Sequence, residues 1–321
     1  MNSIEVTAAG TKSRRLGDLL FGGSAAAAGW TVIVSVLLIA VFLLAQALPA
    51  IGQDHVNFLT STVWAPNDKP ARFGILQMLW TTVVSSVIAV LIAVPFSVAI
   101  ALFLTHYAPR WLAGTAATLI DLLAAVPSII FGVWGFMVLA PKLVPVQNGI
   151  SDVLGWIPLF ARDEAVSGGT TIFTIGIVLA IMILPIITAL TREVFSQAPT
   201  SHQEAALALG ATKWEMIRTA VLPFGRPGII SATMLGLGRA LGETIAVMFI
   251  LSALPDGAPW SSSIFGGGTT FAAKIASDVA EFTPGVGTGA YIAAGLVLFV
   301  LTFVVNAGAR IVIERRKAFS E

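Results

Sequence analysis

The chain has 321 residues, of which 56% are hydrophobic and only 11% charged, with a formal net charge of +1. Soluble domains carry roughly a quarter charged residues, so most of this surface is excluded from water and the chain reads as a membrane protein. It contains no cysteine and three scattered histidines, which excludes disulfides, thiolate metal sites and cysteine nucleophiles and leaves no metal-ligand spacing; no cofactor is expected.

Crossing about 30 Å of hydrocarbon at roughly 1.5 Å per residue takes about 20 apolar residues. Six such runs occur, at 25–48, 74–105, 112–140, 171–190, 228–253 and 290–311. The reading is an all-α, polytopic protein: a tail over residues 1–24, a six-helix membrane domain over 25–312, and a tail over 313–321. The first run follows Lys12, Arg14 and Arg15 like the start of a secretory signal, but its apolar core is too long and no A-x-A site follows it, so an uncleaved helix is expected.

Six crossings put both termini on one side. Placing them in the cytoplasm assigns Arg110, Arg192, Lys213, Arg218, Arg226, Arg310 and the tail cations to that side. Only Lys69, Arg72, Lys142, Arg162 and Lys274 fall outside, as the positive-inside bias requires. Trp30, Trp64, Trp80, Trp111, Trp156 and Trp260 fall near span ends or in loops, where interfacial anchors belong. The external stretches 49–73, 141–169 and 254–289 are rich in Gly, Pro, Ser and Asp and read as loops.

The cytoplasmic stretch 191–228 is the longest on its side and reads as two short helices. Ser201 can cap the first in a capping box with Glu204, Gly210 can end it in the left-handed conformation, and Thr212 can cap the second. Pro223 and Pro227 are expected to stop the chain before it re-enters the bilayer. Ala205, Ala206 and Gly210 leave one surface nearly bare of side chains. On pattern alone this suits either a docking surface or an ordinary interfacial helix pair.

Glu204, Ala205 and Ala206, then Gly210 after three residues, then Leu222 and Pro223, stand at the spacings of a known motif. The stretch resembles the "EAA" loop of permeases of ATP-binding-cassette importers, departing where Ala220 replaces the usual isoleucine. The resemblance implies the type I ABC importer permease architecture and docking of Glu204, Ala205, Ala206 and Gly210 into a groove of a separate ATPase. No G-x-x-x-x-G-K-S/T phosphate loop occurs in the chain, so ATP hydrolysis is expected elsewhere and the chain is not expected to be an enzyme.

The fifth span holds "GLGRALGETIAV", with Arg239 roughly 16 Å into the bilayer counted from residue 228 at helical rise. A charge there costs about 2.5–3.5 kcal/mol on insertion scales, so it should face a partner or a polar cavity. Glu243, four residues on, lies on the same helical face and can pair with it. Gly238 and Gly242 form a G-x-x-x-G pair that admits a neighbouring helix. The charges read either as an oxyanion site, in which the guanidinium fork meets two oxygens, or as an ion pair that only fixes helix register. Asp121 in the third run can partner Arg239, face a cavity, or snorkel from a span end. Pro95, Pro127 and Pro185 interrupt three spans and suit hinges, while Ser128, Thr188 and Thr244 are nearby hydroxyls.

"WAPNDKPARFGIL", "TTVVSSVIAVLIAVPFSVAIALFLT", "LLAAVPSIIFGVWG" and "MLGLGRALGETIAVMFI" together resemble the PstC-type permeases of phosphate importers. That resemblance implies a PstA-like permease, a PstB-like ATPase dimer and an external phosphate-binding protein as partners. It also implies inorganic phosphate as cargo, moved by alternating access past Arg239, Glu243 and Asp121. Molybdate or sulfate as cargo, and a passive channel or a phosphate-sensing scaffold, remain open from the residues themselves.

Overall fold

The computed structural model describes residues 16–163, 166, 168–254 and 260–317, so Lys12, Arg14, Arg15 and both outer tails' ends lie outside the described residues. Among the described residues, six helices are long and apolar enough to cross a membrane: 20–51, 76–107, 128–154, 172–196, 213–241 and 286–311.

Helix α1 (Leu16–Ile51) is exposed along most of its length and packs on α12 (Val286–Lys317). At that contact a Cβ on Gly289 would lie 2.5 Å from that of Ala50, so the missing side chain sets the approach. A two-residue antiparallel ribbon, β1 (Trp64–Ala65) and β2 (Arg72–Phe73), follows α1. Trp64 meets Phe73 and Tyr291 edge-on at 6.1 and 5.2 Å, which pins the ribbon to α12.

The core is built on α6 (Ile172–Ser196), with α2 (Leu76–Leu102) and α9 (Leu222–Leu241) beside it. The reason is small residues on facing surfaces. On α9, a Cβ at Gly225, Gly228 or Gly236 would sit 2.4 to 2.8 Å from Phe195, Val194 or Ile187 of α6. Side-chain-free positions of this kind let helix backbones approach where apolar burial gives no drive. Pro95 and Pro185 lie inside α2 and α6, which run through them. The carbonyl of Leu184 accepts from Ser97 Oγ at 3.0 Å and Thr188 Oγ1 at 2.8 Å, so those hydroxyls serve the backbone beside Pro185.

The third crossing differs from the sequence expectation. The run 112–140 is split at Pro127 into α3 (Arg110–Ala124) and α4 (Ser128–Trp134). From α4 the helix continues through a π-helical turn, Gly135–Leu139, into α5 (Ala140–Leu154), turning part of the expected loop 141–169 into helix. The crossing is therefore Ser128–Leu154, about 40 Å long at helical rise. Helix α3 stays at one end of the bundle: it follows the end of α2, and Asp121 near its other end meets Arg192 close to the end of α6. Proline disfavours helical geometry in the residue before it, which ends α3; hydropathy alone does not say which side of that break crosses.

Candidate functional site

At the α3 end of the bundle, α7 (Thr200–Ala208) and α8 (Lys213–Met216) form the knuckle that the sequence pattern indicates. Gly210 has φ +84°, the left-handed geometry expected of it, and nothing lies within 4 Å of where its Cβ would be. Thr212 caps α8 in a full capping box with Glu215, a partner that the sequence reading missed although T-x-x-E is legible at 212–215. Ser201 does not cap α7: the helix begins at Thr200 behind Pro199, and no side chain accepts from its first turn. Proline fixes its own φ near the helical value, and with Pro199 at the N-cap the helix begins two positions earlier than expected.

Pro223 and Pro227 do not stop the chain. From α8 the helix passes through a second π-helical turn, Ile217–Val221, and on into α9 with Pro223 in its first turn and Pro227 inside it. A widened turn absorbs the missing N–H and ring of Pro223 where an α-turn would clash.

The knuckle divides by burial. Ala206 packs against Ala101, Phe195, Met216, Ile217 and Val221, which holds α7 to the bundle. Glu204, Ala205 and Gly210 face outward, with Leu209 at the tip 90% exposed and Trp214 and Leu207 about half exposed. Leu207, Leu209 and Trp214 together give the knuckle an exposed apolar face.

The fifth crossing is discontinuous. Helix α9 ends at Leu241, residues 242–244 are non-helical, and α10 (Ile245–Ile250) resumes. The sequence expectation placed Arg239 and Glu243 on one helical face as an ion pair. Here the break separates them, and they make no salt bridge within 4.0 Å. Glu243, only 8% exposed, turns its carboxylate to α10, Oε1 accepting from the Ala246 N–H at 3.2 Å. Arg239 is half-buried, makes no ion pair or hydrogen bond with a described residue, and its Nε is buried without a partner.

The expected G-x-x-x-G approach also moves. Gly238 has no atom within 4 Å of a would-be Cβ, and Gly242 meets only the carbonyl of Gly238; the close-approach glycine is Gly236, against Ile183 and Ile187. Asp121 pairs with Arg192 at 4.0 Å and is 57% exposed, so of its three sequence readings the span-end carboxylate fits best. Thr244 Oγ1 donates to the Gly242 carbonyl at 3.2 Å within the break. The structure thus brings Arg239, Glu243 and Thr244 together around one break and places Asp121 with the knuckle end.

Six helices able to cross a membrane, a helix break in line with one of them and a guanidinium beside it without a described partner are features of a membrane transport subunit. Residues 93–318 match the family described as "Binding-protein-dependent transport system inner membrane component", and the chain belongs to that family. It is 54% identical over 298 residues, covering 92% of this chain and 91% of the relative, to "Phosphate transport system permease protein PstC 2" of Mycobacterium tuberculosis. It is 40% identical to the PstC permease of Mesorhizobium japonicum over 305 residues, 94% of this chain and 91% of that one. Among solved structures it resembles a bacterial alginate ABC transporter in complex with a pentasaccharide-bound periplasmic protein. The TM-score there is 0.54 at 16% identity, covering 92% of this chain and 96% of the other, which supports the fold alone.

Proposed function

We propose that the chain is the membrane permease subunit of an ATP-driven importer of inorganic phosphate, working by alternating access in the inner membrane. Its high similarity over nine-tenths of its length to permeases named for phosphate transport supports the cargo. The observation that carries the site is Arg239: a guanidinium fork left without an internal partner suits two oxygens of a tetrahedral oxyanion. Glu243, held on α10, sets a negative charge near that anion and favours its release.

Both termini and the knuckle face the cytoplasm in this reading, supported by the distribution of Lys and Arg. Glu204, Ala205 and Gly210 dock a PstB-like ATPase dimer, with Ala206 anchoring the knuckle. A PstA-like permease completes the transmembrane pair, and an external phosphate-binding protein delivers the anion. The test is uptake of labelled phosphate by vesicles holding this chain and its three partners. Uptake requiring ATP and the binding protein, and resisting excess sulfate or molybdate, is the expected result. Uptake that persists without ATP assigns a passive channel instead, and competition by sulfate or molybdate assigns another oxyanion.

A further inference from the structure

Residues 263–271, at the end of the bundle opposite the knuckle, have no helix or strand structure before Phe271, yet all but Thr269 are buried. Irregular backbone near a membrane persists only when its polar groups are satisfied within protein. Here the segment closes over the start of α6: Ile172 and Phe173 donate their N–H groups to the carbonyls of Gly266 and Ile264 at 3.0 and 2.8 Å. The N–H of Gly268 donates to the carbonyl of Ser252 just after α10, at 2.9 Å. Helix α11 (Phe271–Ser277) begins where the Phe271 N–H donates to Thr82 Oγ1 of α2 at 3.2 Å.

Three glycines make this fit possible. A Cβ at Gly266 would meet the Asp163 carboxylate at 2.9 Å, at Gly267 the Ser252 carbonyl at 2.5 Å, and at Gly268 Thr81 Oγ1 at 2.6 Å. Gly268 has φ +153°, at the edge of the range that favours glycine. On one side of the segment is an open cavity of about 700 Å³ lined by Trp260, Gly268, Thr269, Lys274 and Asp278 among others. On the other, Thr81 Oγ1 on α2, against Gly268, is buried with no hydrogen-bond partner. A buried hydroxyl left unpaired costs about 1–3 kcal/mol, which is recovered once an acceptor arrives.

We propose that residues 263–271 are the outer gate of the anion path, and that lifting them uncovers the Thr81 hydroxyl as a neutral donor to the passing oxyanion. The inference rests on the importer reading. The gate is tied through Ser252 to α10, and α10 to the break that holds Arg239 and Glu243. Movement at the break therefore reaches the gate through six helical residues.

The chain has no cysteine of its own, so Thr82→Cys, where Thr82 Oγ1 accepts from the Phe271 N–H, makes a single reporter beneath the gate. A membrane-impermeant thiol reagent, applied from outside to the full complex and followed by the mass of this chain, reads its exposure. Labelling is expected to be slow at rest. It should become roughly tenfold faster or more with loaded binding protein and vanadate-trapped ATPase, as for a gate open in a minority of resting complexes. Gly268→Val should give fast labelling at rest and ATP hydrolysis uncoupled from uptake. Thr81→Val should slow uptake several-fold with resting labelling unchanged. Equal labelling in every state would make the segment a static cap and overturn the gate, whether or not Gly268→Val assembles. Unchanged uptake in Thr81→Val would remove the hydroxyl from the path. ATP-driven uptake by the parental complex tests the importer reading separately.

Discussion

Arg239 and Glu243, four residues apart in the chain, are separated by the end of a helix and make no ion pair, because α9 stops at Leu241 and Glu243 bonds the start of α10. Arg239 therefore has no internal counter-charge to lose. Arg239→Gln should leave complex assembly intact and lower ATP-driven phosphate uptake roughly tenfold to hundredfold, the effect of losing a charged hydrogen bond of about 1.5–3 kcal/mol. Normal uptake would remove Arg239 from the mechanism, and failed assembly would make its role structural.

For Glu243 the two functions separate by substitution. Glu243→Gln keeps an acceptor for the Ala246 N–H and should retain the thermal midpoint while changing uptake. Glu243→Ala removes the acceptor and should lower stability by about 1 kcal/mol, as loss of a helix-capping group does. Equal midpoints for the two variants would show that the bond to Ala246 contributes nothing.

The glycines of α9 should split in the same way. Gly236→Ala places a methyl against Ile187 and Ile183 and is expected to destabilise the folded chain by about 1–3 kcal/mol. Gly238→Ala meets nothing within this chain and should leave the thermal midpoint unchanged. A larger shift from Gly238 than from Gly236 would contradict the packing described.

At the knuckle, Gly210→Val forces a β-branched residue into φ +84° and should release the ATPase from the membrane. Co-purification of the ATPase with this chain is the measurement, and undiminished recovery would count against docking there.

Among the described residues outside the spans, Asp278 has a directional pH effect. Burial raises its pKa, but bonds from Lys274, Ser277 and Tyr291 and the Lys274 charge outweigh this and hold the carboxyl below its ordinary value. A depressed folded pKa contributes stability that is fully present above the unfolded value of about 3.9 and is lost as pH falls through the folded one. The thermal midpoint should thus fall in acid below about pH 4, and Asp278→Asn should flatten that dependence. An unaltered acid profile in the variant would remove Asp278 as its cause.

The number of crossings and the knuckle were legible because apolar length, cap residues and a left-handed glycine are local properties, carried by residues such as Gly210 and Thr212. Three features were not. Pro127 divides an apolar run that hydropathy treats as one, and only the packing of Asp121 on Arg192 shows that α3 stays at the knuckle end. Pro223 reads as a stop unless a π-helical turn precedes it, and that turn depends on the packing of Ile217 and Val221. The break at 242–244 has a local signal in Gly242, but i, i+4 charge spacing argued for continuity. Tertiary contacts of α10 with α4 through Ala246 on Gly132, and with the π-helical turn after it through Ile250 on Gly135, favour the broken form.

The unbroken path from Lys213 to Leu241 gives the knuckle mechanical leverage over the site. These 29 residues form a rod of about 43 Å at helical rise, with Lys213 at one end and Arg239 near the other. A tilt of about 5° about either end moves the opposite one by nearly 4 Å, on the order of a hydrogen-bond length. On the docking and anion-site proposals above, angstrom-scale movement of the docked partner would reach Arg239 with no unfolding between the two ends.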